Sequence, residues 1–327
     1  AVRDQGAARP VGAGAGWGKP RVLRGRTAWI LSQFGAWPSQ ILAITFTNKA
    51  AAEMRERLTA LIGPVAQRMW VSTFHSACVR ILRRDGKAIG LKSGFSIYDS
   101  ADSERLVKII ATEFNVDIKR YTPRSILGRI SDYKNQLIGW RTQLAAYAPD
   151  FKPGTRGYRI SRFDNVEELY AIIYAEYEHR LALSNAVDFD DLIVRTVELL
   201  RDHPDVAEYY HHKFRYILVD EYQDTNHAQY VLVRELGGVD SSEAPQPTAV
   251  ASGRQGPAWI TVVGDSDQSI YAFRGADIRN IQDFEQDFPD AKTILLEQNY
   301  RSTQTILDAA NAVIATTAGP TPKTPGT

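Results

Sequence analysis

An α/β fold with a parallel sheet, interrupted by an all-helical insertion, is predicted by three features of the sequence. Apolar strand-like runs alternate with helical periods between residues 21 and 98, the pattern turns wholly helical from 99 to 205, and strand-like runs return from 206 to 312. Alternation of this kind marks strand–helix–strand units, in which each crossover helix returns the chain to the same edge of a parallel sheet. Size agrees, since 327 residues with 44% apolar content can bury a large core and favour more than one structural unit.

Taken in order, residues 1–20 (AVRDQGAARPVGAGAGWGKP) carry neither a period of 2 nor one of 3.6, and little regular structure is expected there. An amphipathic helix follows around 21–34, then a strand ILAITF at 41–46, a helix around 49–62 and a strand MWVSTF at 69–74. Within 99–205, segments such as ADSERLVKIIATEF and VEELYAIIYAEYEHRLALS have helical spacing and no convincing strand. The sheet resumes with FRYILVD (214–220), WITVVGD (259–265) and TILLEQ (293–298). Between the first two, the Gly-, Ser- and Pro-rich stretch 237–258 reads as a mobile surface loop, and 313–327 as a disordered tail. No internal repeat stands out.

Composition narrows the function classes. With 39 Lys plus Arg against 38 Asp plus Glu, the net charge of +1 excludes a uniformly basic nucleic-acid module, so any such site must be local. The single cysteine, Cys78, excludes an internal disulfide framework, fits a reducing cytoplasm, and sits at helical spacing between Phe74 and Leu82 as a small buried hydrophobe. No apolar run approaches the ~20 residues of a membrane span, so no membrane partner is expected.

The chemistry begins at FRYILVD, which delivers Asp220 and Glu221 together at the carboxyl end of an apolar strand. Open α/β sheets bind ligands at that end. One carboxylate there can hold Mg²⁺ while its neighbour accepts a proton from water attacking a γ-phosphate, an arrangement of the Walker B kind. The competing reading is an acidic pair favoured by the dipole of a following helix.

DEYQDT at 220–225, with GDSDQSIYAFRGA at 264–276, resembles motifs II and III of superfamily 1 helicases of the UvrD, PcrA and Rep type. TFTNKAAAEM (45–54) resembles motif Ia, WVSTFHSACVRIL (70–82) the next DNA-contacting motif, AVDFDDLI (186–193) the segment re-entering the core, and LEQNYRST (296–303) motif IV. The motifs keep their order, and the resemblance runs from about residue 21 to 315. It implies a RecA-like P-loop NTPase domain (21–98 and 206–312) with a helical insertion (99–205), acting as the first motor domain of an ATP-dependent 3′-to-5′ DNA helicase. ATP and Mg²⁺ are the implied cofactors, and single-stranded DNA and single/double-strand junctions the implied partners, with repair proteins and a second motor domain beyond.

Carried over residue by residue, the resemblance makes Asp220 the metal ligand, Glu221 the general base, Gln268 the γ-phosphate sensor and Arg301 a second γ-phosphate contact. Gly16, Gly18 and Lys19 belong to the phosphate loop, and Tyr300 stacks on adenine. An amide can donate to phosphate while orienting water, and a guanidinium offers a planar fork to anionic oxygens. Phe46, Tyr271 and Phe273 supply stacking faces for bases, while Asn48, Thr73, His75 and Arg274 match positions that contact phosphates or bases. Taken singly, each aromatic also fits a core position, and Arg301 a helix start on the surface.

The departures lie at the ends. AGAGWGKP at 13–20 stands where the family pattern reads AGAGSGKT. Lys19 is kept, but Pro20 supplies neither the hydroxyl nor the N–H of the usual threonine, and Trp17 adds bulk where small residues let backbone N–H groups cradle phosphate. GAARPV replaces the apolar strand expected before the loop, and the pattern stops after motif IV. A truncated and impaired chain lacking its second motor domain is therefore expected. A damaged gene copy and a regulatory protein that kept only its DNA face both fit. The alternative function is a non-catalytic single-stranded-DNA binding or partner-docking module; an unrelated P-loop kinase or small GTPase leaves GDSDQSIYAFRGA and NYRST unexplained.

Overall fold

The computed structural model describes residues 8–13, 19–160, 165–238, 256–265, 280, 284, 288, 291–296, 299 and 302–316. Its strands are β1 (Ala8–Ala13), β2 (Ile41–Thr45), β3 (Trp70–Thr73), β4 (Ser96–Ile97), β5 (Ala186–Val187), β6 (Tyr216–Val219), β7 (Trp259–Gly264) and β8 (Ile294–Leu296). Six of them form one sheet in the order β3-β2-β6-β7-β1-β8, with every neighbouring pair parallel. This is the α/β class that the alternating pattern predicts.

Strand side chains divide between two apolar layers. Ile41 and Ala43 of β2, Leu218 of β6 and Val263 of β7 enter one cluster with α1 (Lys19–Gln33) and α2 (Asn48–Ile62). Leu42, Ile44, Ile217, Val219, Ile260 and Val262 point the other way, into a cluster with α3 (Phe74–Asp85), α8 (Phe189–Asp202), α9 (Pro204–Lys213) and α10 (His227–Gly237). Successive residues of a strand face opposite sides, so strands covered by helices on both faces must be apolar throughout. Each fully buried Leu or Ile contributes ~1.5–3 kcal/mol.

A third cluster belongs to the helical region. It gathers residues of α4 (Ser100–Glu113), α5 (Pro123–Asn135), α6 (Trp140–Tyr147) and α7 (Val166–Leu183) around Val107, Ile126, Ile130, Leu169 and Ile173. α8 lies inside the 99–205 span, yet its Leu192, Val197 and Leu200 join the sheet-side cluster instead.

Three expectations need correction. Residues 8–13, expected to be irregular, form β1 between β7 and β8, with Val11 opposite Val263 on one side and Ile294 on the other. The pairing partners on both sides override the weak strand propensity of Arg-Pro-Val-Gly. The helical region also contains β5, which pairs with β4 in parallel as a two-residue ladder. Residues 313–316, assigned to the tail, continue α11 (Gln304–Thr316). Of the loop at 237–258, residues 239–255 lie outside the described residues; its ends meet where Ala258 N donates to Gly237 O at 2.8 Å.

Candidate functional site

Because all six strands are parallel, their carboxyl ends share one edge, and the elements leaving that edge carry the residues singled out by the sequence. β1 ends at Ala13 and α1 begins at Lys19, so residues 14–18 join a strand to a helix as a phosphate-binding loop requires. Gly12 of β1 is level with Gly264 of β7, so these two strands end side by side. Pro20 is the second residue of α1, a position where a ring without an N–H is tolerated.

β6 runs into the acidic turn. Asp220, 8% exposed, continues the strand through its N–H to Ile44 O at 3.0 Å. Glu221 then adopts a left-handed conformation (φ 47°, ψ 45°), uncommon for a residue with a side chain, which costs ~1–3 kcal/mol unless its surroundings fix it. They do. Glu221 N donates to Asp220 Oδ1 at 3.0 Å, and its carboxylate accepts from Gln223 Nε2 at 2.8 Å.

Gln223 is 2% exposed and accepts in turn from the N–H of Asp265, just past β7, at 3.0 Å. One amide therefore ties the candidate general base to the neighbouring strand end. Gly264 makes room for it: a Cβ at that position would lie 2.9 Å from Gln223 Oε1 and 3.3 Å from Gln223 N. Asn280, almost fully buried, donates to Thr225 O at 2.7 Å and closes the turn from the far side.

The other half of the edge carries the candidate strand-binding residues. Phe46 follows β2 and is half-buried, its ring edge-on to Phe74 with centroids 5.6 Å apart. Asn48 is exposed at the start of α2. Thr73 is buried and caps α3, accepting from Ser76 N at 3.2 Å and donating to Ser76 Oγ at 2.9 Å. His75 lies over the ring of Phe189 with centroids 3.8 Å apart and planes 21° from parallel. Burial pushes its imidazole down to about 4, so it is neutral at pH 7 and offers a ring and an N–H rather than a charge.

Asp220, Glu221, Phe46, Asn48, Thr73 and His75 are thus brought to one edge. Gly16, Gly18, Gln268, Tyr271, Phe273, Arg274, Tyr300 and Arg301 lie outside the described residues, as does Trp17; Lys19 is described only as part of α1. Sequence reasoning missed Gln223, Asn280 and Phe189. Phe189 stood inside AVDFDDLI, and its signal was an aromatic between acids at a helix start; it is 56% exposed, unlike a core residue. Cys78 is fully buried, with its thiol pushed up to about 12 by burial, as a packed hydrophobe should be.

A second polar cluster lies where α5, α7 and α8 meet. Lys134 Nζ contacts Glu178 and Asp188 at 2.6 Å and Asp191 at 2.8 Å, and Arg195 contacts Glu178 at 2.9 Å. Burial, then the Asp188 and Glu178 carboxylates, push Asp191 well above the usual carboxylate range. Lys134 occupies the centre of this acidic group, so it is an ion network and not a metal site.

The UvrD/REP helicase N-terminal domain model matches residues 1–289. The chain is 53% identical over 320 residues to the ATP-dependent DNA helicase UvrD1 of Mycobacterium tuberculosis, covering 98% of this chain and 39% of that protein. It is 51% identical to UvrD1 of Mycobacterium leprae over 321 residues, with the same shares covered. Against the ATP-dependent DNA helicase PcrA of Bacillus subtilis it is 48% identical over 311 residues, 95% of this chain and 38% of that one. The chain therefore spans about two fifths of the length of these relatives. Among the described residues, no helix is long and apolar enough to cross a membrane.

Proposed function

This chain belongs to the UvrD/REP helicase family, and we propose on that premise that its sheet edge is the nucleotide-hydrolysing and strand-gripping face of a cytoplasmic, 3′-to-5′ DNA-translocating motor acting in repair. The observation that carries this reading is the Asp220–Glu221 turn, hydrogen-bonded through Gln223 to the end of β7, on the same edge as Phe46 and His75. In this reading 21–98 and 206–312 form the motor domain and 99–205 its helical insertion. The family's second motor domain and repair proteins are its proposed protein partners.

The described residues fit an ATP–Mg²⁺ complex. A buried carboxylate follows β6, and β1, after which the chain returns as α1, ends level with β7 on the same edge. When bound, ATP with Mg²⁺ supplies a γ-phosphoryl group open to attack by water. Asp220 would hold the metal. Glu221 would take the water's proton, its carboxylate kept from rotating by the Gln223 amide. Gln268 and Arg301 would contact the γ-phosphate, Lys19 with Gly16 and Gly18 the phosphate chain, and Tyr300 the base. On the strand side, Phe46, Tyr271 and Phe273 would stack on bases of single-stranded DNA or of a single/double-strand junction, with Asn48, Thr73, His75 and Arg274 on its polar groups.

Pro20 and Trp17 bear on how well the nucleotide is held. Loss of one metal ligand and one donor should weaken Mg²⁺–ATP binding at least ~10-fold, the worth of a charge-assisted hydrogen bond. Isothermal titration of the chain and of a Trp17→Ser/Pro20→Thr variant measures this, the variant being expected to bind more tightly. ATP turnover in that variant should fall to background with Glu221→Gln. Turnover unchanged by Glu221→Gln would remove Glu221 from the reaction. Pro20 also favours a second reading, a strand-binding module without a motor cycle. Salt-sensitive anisotropy of a labelled single strand, unaffected by ATP even in the Trp17→Ser/Pro20→Thr variant, would select it.

A further inference from the structure

The last turn of α5 touches the first turns of two other helices, one from each half of the proposed site. Asn226 Nδ2 donates to Asn135 Oδ1 at 2.7 Å, Asn135 Nδ2 donates to Ser131 Oγ at 3.2 Å, and Ser131 Oγ donates to Asp190 Oδ2 at 2.6 Å. All three donors point the same way and end on a carboxylate. The three bonds are partly buried, and aligned hydrogen bonds strengthen one another, so a shift at one end is felt at the other.

The two ends are placed to matter. Asn226 directly follows the 220–225 turn and caps α10, accepting from Gln229 N at 2.9 Å while its own N–H donates to Gln229 Oε1 at 3.1 Å. It is thus fixed to α10 and joined to the turn through Thr225, whose carbonyl accepts from Asn280 at 2.7 Å. Asp190 directly follows Phe189, the exposed ring lying over His75. Lys134, one residue before Asn135, already anchors α8 through Asp188 and Asp191. What Asn135 adds to that anchor is the link to α10.

We infer that Asn135 is a positioning residue that transmits the setting of the 220–226 turn to the Phe189–His75 pair, joining the nucleotide end of the edge to its grip on single-stranded DNA. This rests on the strand-binding reading of His75. The test is a double-variant cycle on the whole chain, with a fluorescently labelled oligothymidylate as probe and anisotropy as readout. Asn226→Ala and Asn135→Ala are each expected to weaken binding ~5-fold, and the double variant also ~5-fold rather than the ~25-fold of independent sites.

Asn135→Asp keeps the size and the acceptor for Asn226 but loses the donor to Ser131, so it should bind as weakly as Asn135→Ala. A merely structural Asn135 would lower the unfolding midpoint while leaving affinity, measured well below it, within twofold of the unaltered chain. That result, multiplicative losses in the double variant, or unaltered binding by Asn135→Asp would overturn the inference. If the unaltered chain fails to bind the oligonucleotide at any salt concentration, the strand-binding reading itself falls, and the inference with it.

Discussion

The sheet and the helical junction beside it are held by different forces. In the sheet, alternate side chains of β2, β6 and β7 enter two apolar layers, where burial of non-directional apolar surface supplies the stabilisation. At the junction of α5, α7 and α8, Lys134 is 1% exposed among three carboxylates at 2.6–2.8 Å, and its contacts exist at only one relative position of the three helices. Burial opposes its charge, but Asp188, Asp191 and Glu178 outweigh that and hold its ammonium well above the usual range. The difference suggests a division of labour in which apolar area stabilises and the ion network fixes alignment.

The strongest way to break that contrast is Lys134→Met. It leaves three buried acids around an apolar side chain and should cost ~3–5 kcal/mol of unfolding free energy in a urea titration. A loss below ~1 kcal/mol would mean that the network is no different from a surface ion pair. On the sheet side, Gly264→Ala drives a Cβ against the amide of Gln223 and should cost ~1–3 kcal/mol, with slower hydrolysis wherever Glu221 is the base. Unchanged stability there would show that Gln223 can retreat and is not a rigid clamp.

Acid sharpens the comparison on the strand-binding side. His75 is held neutral in the fold down to about 4, whereas the unfolded imidazole titrates near 6.5, so its contribution is full above 6.5 and is lost as pH falls toward 4. Asp190 acts oppositely. Burial, then the Asp188 carboxylate, raise it to about 6, so its contribution is full below 3.8 and is lost as pH rises through about 6. Melting temperatures at pH 7 and pH 5 should therefore fall less on acidification for His75→Gln than for the unaltered chain, and more for Asp190→Asn. Identical shifts in all three would refute the assignment. The smallest effect expected is at the α3 cap, where Thr73→Ala should cost ~1 kcal/mol by the same urea titration.

Much of the sheet edge was legible beforehand. ILAIT and YILV are apolar throughout because both faces are covered, and the helix expected around 49–62 is α2. β1 was not legible. Ala-Arg-Pro-Val-Gly-Ala has poor intrinsic strand propensity and Pro10 forfeits a ladder hydrogen bond, yet neighbours on both sides recruit it. Gln223 was visible only as a letter inside a motif. That it reaches both Glu221 and Asp265 depends on β6 and β7 being adjacent, and their residues lie about 40 positions apart in the chain.

By itself, then, the sequence determined β2, β3, β6 and β7, the parallel class and the acidic pair after β6, because these follow from side-chain periodicity and from residues a few positions apart. Tertiary structure alone decided that Lys134 would be neutralised by acids from α7 and α8, that Phe189 would stand exposed over His75, and that Asn135 would bridge α8 and α10. Each joins residues distant in the chain, and a buried charge or amide has no stable state until its partners arrive from elsewhere in the fold.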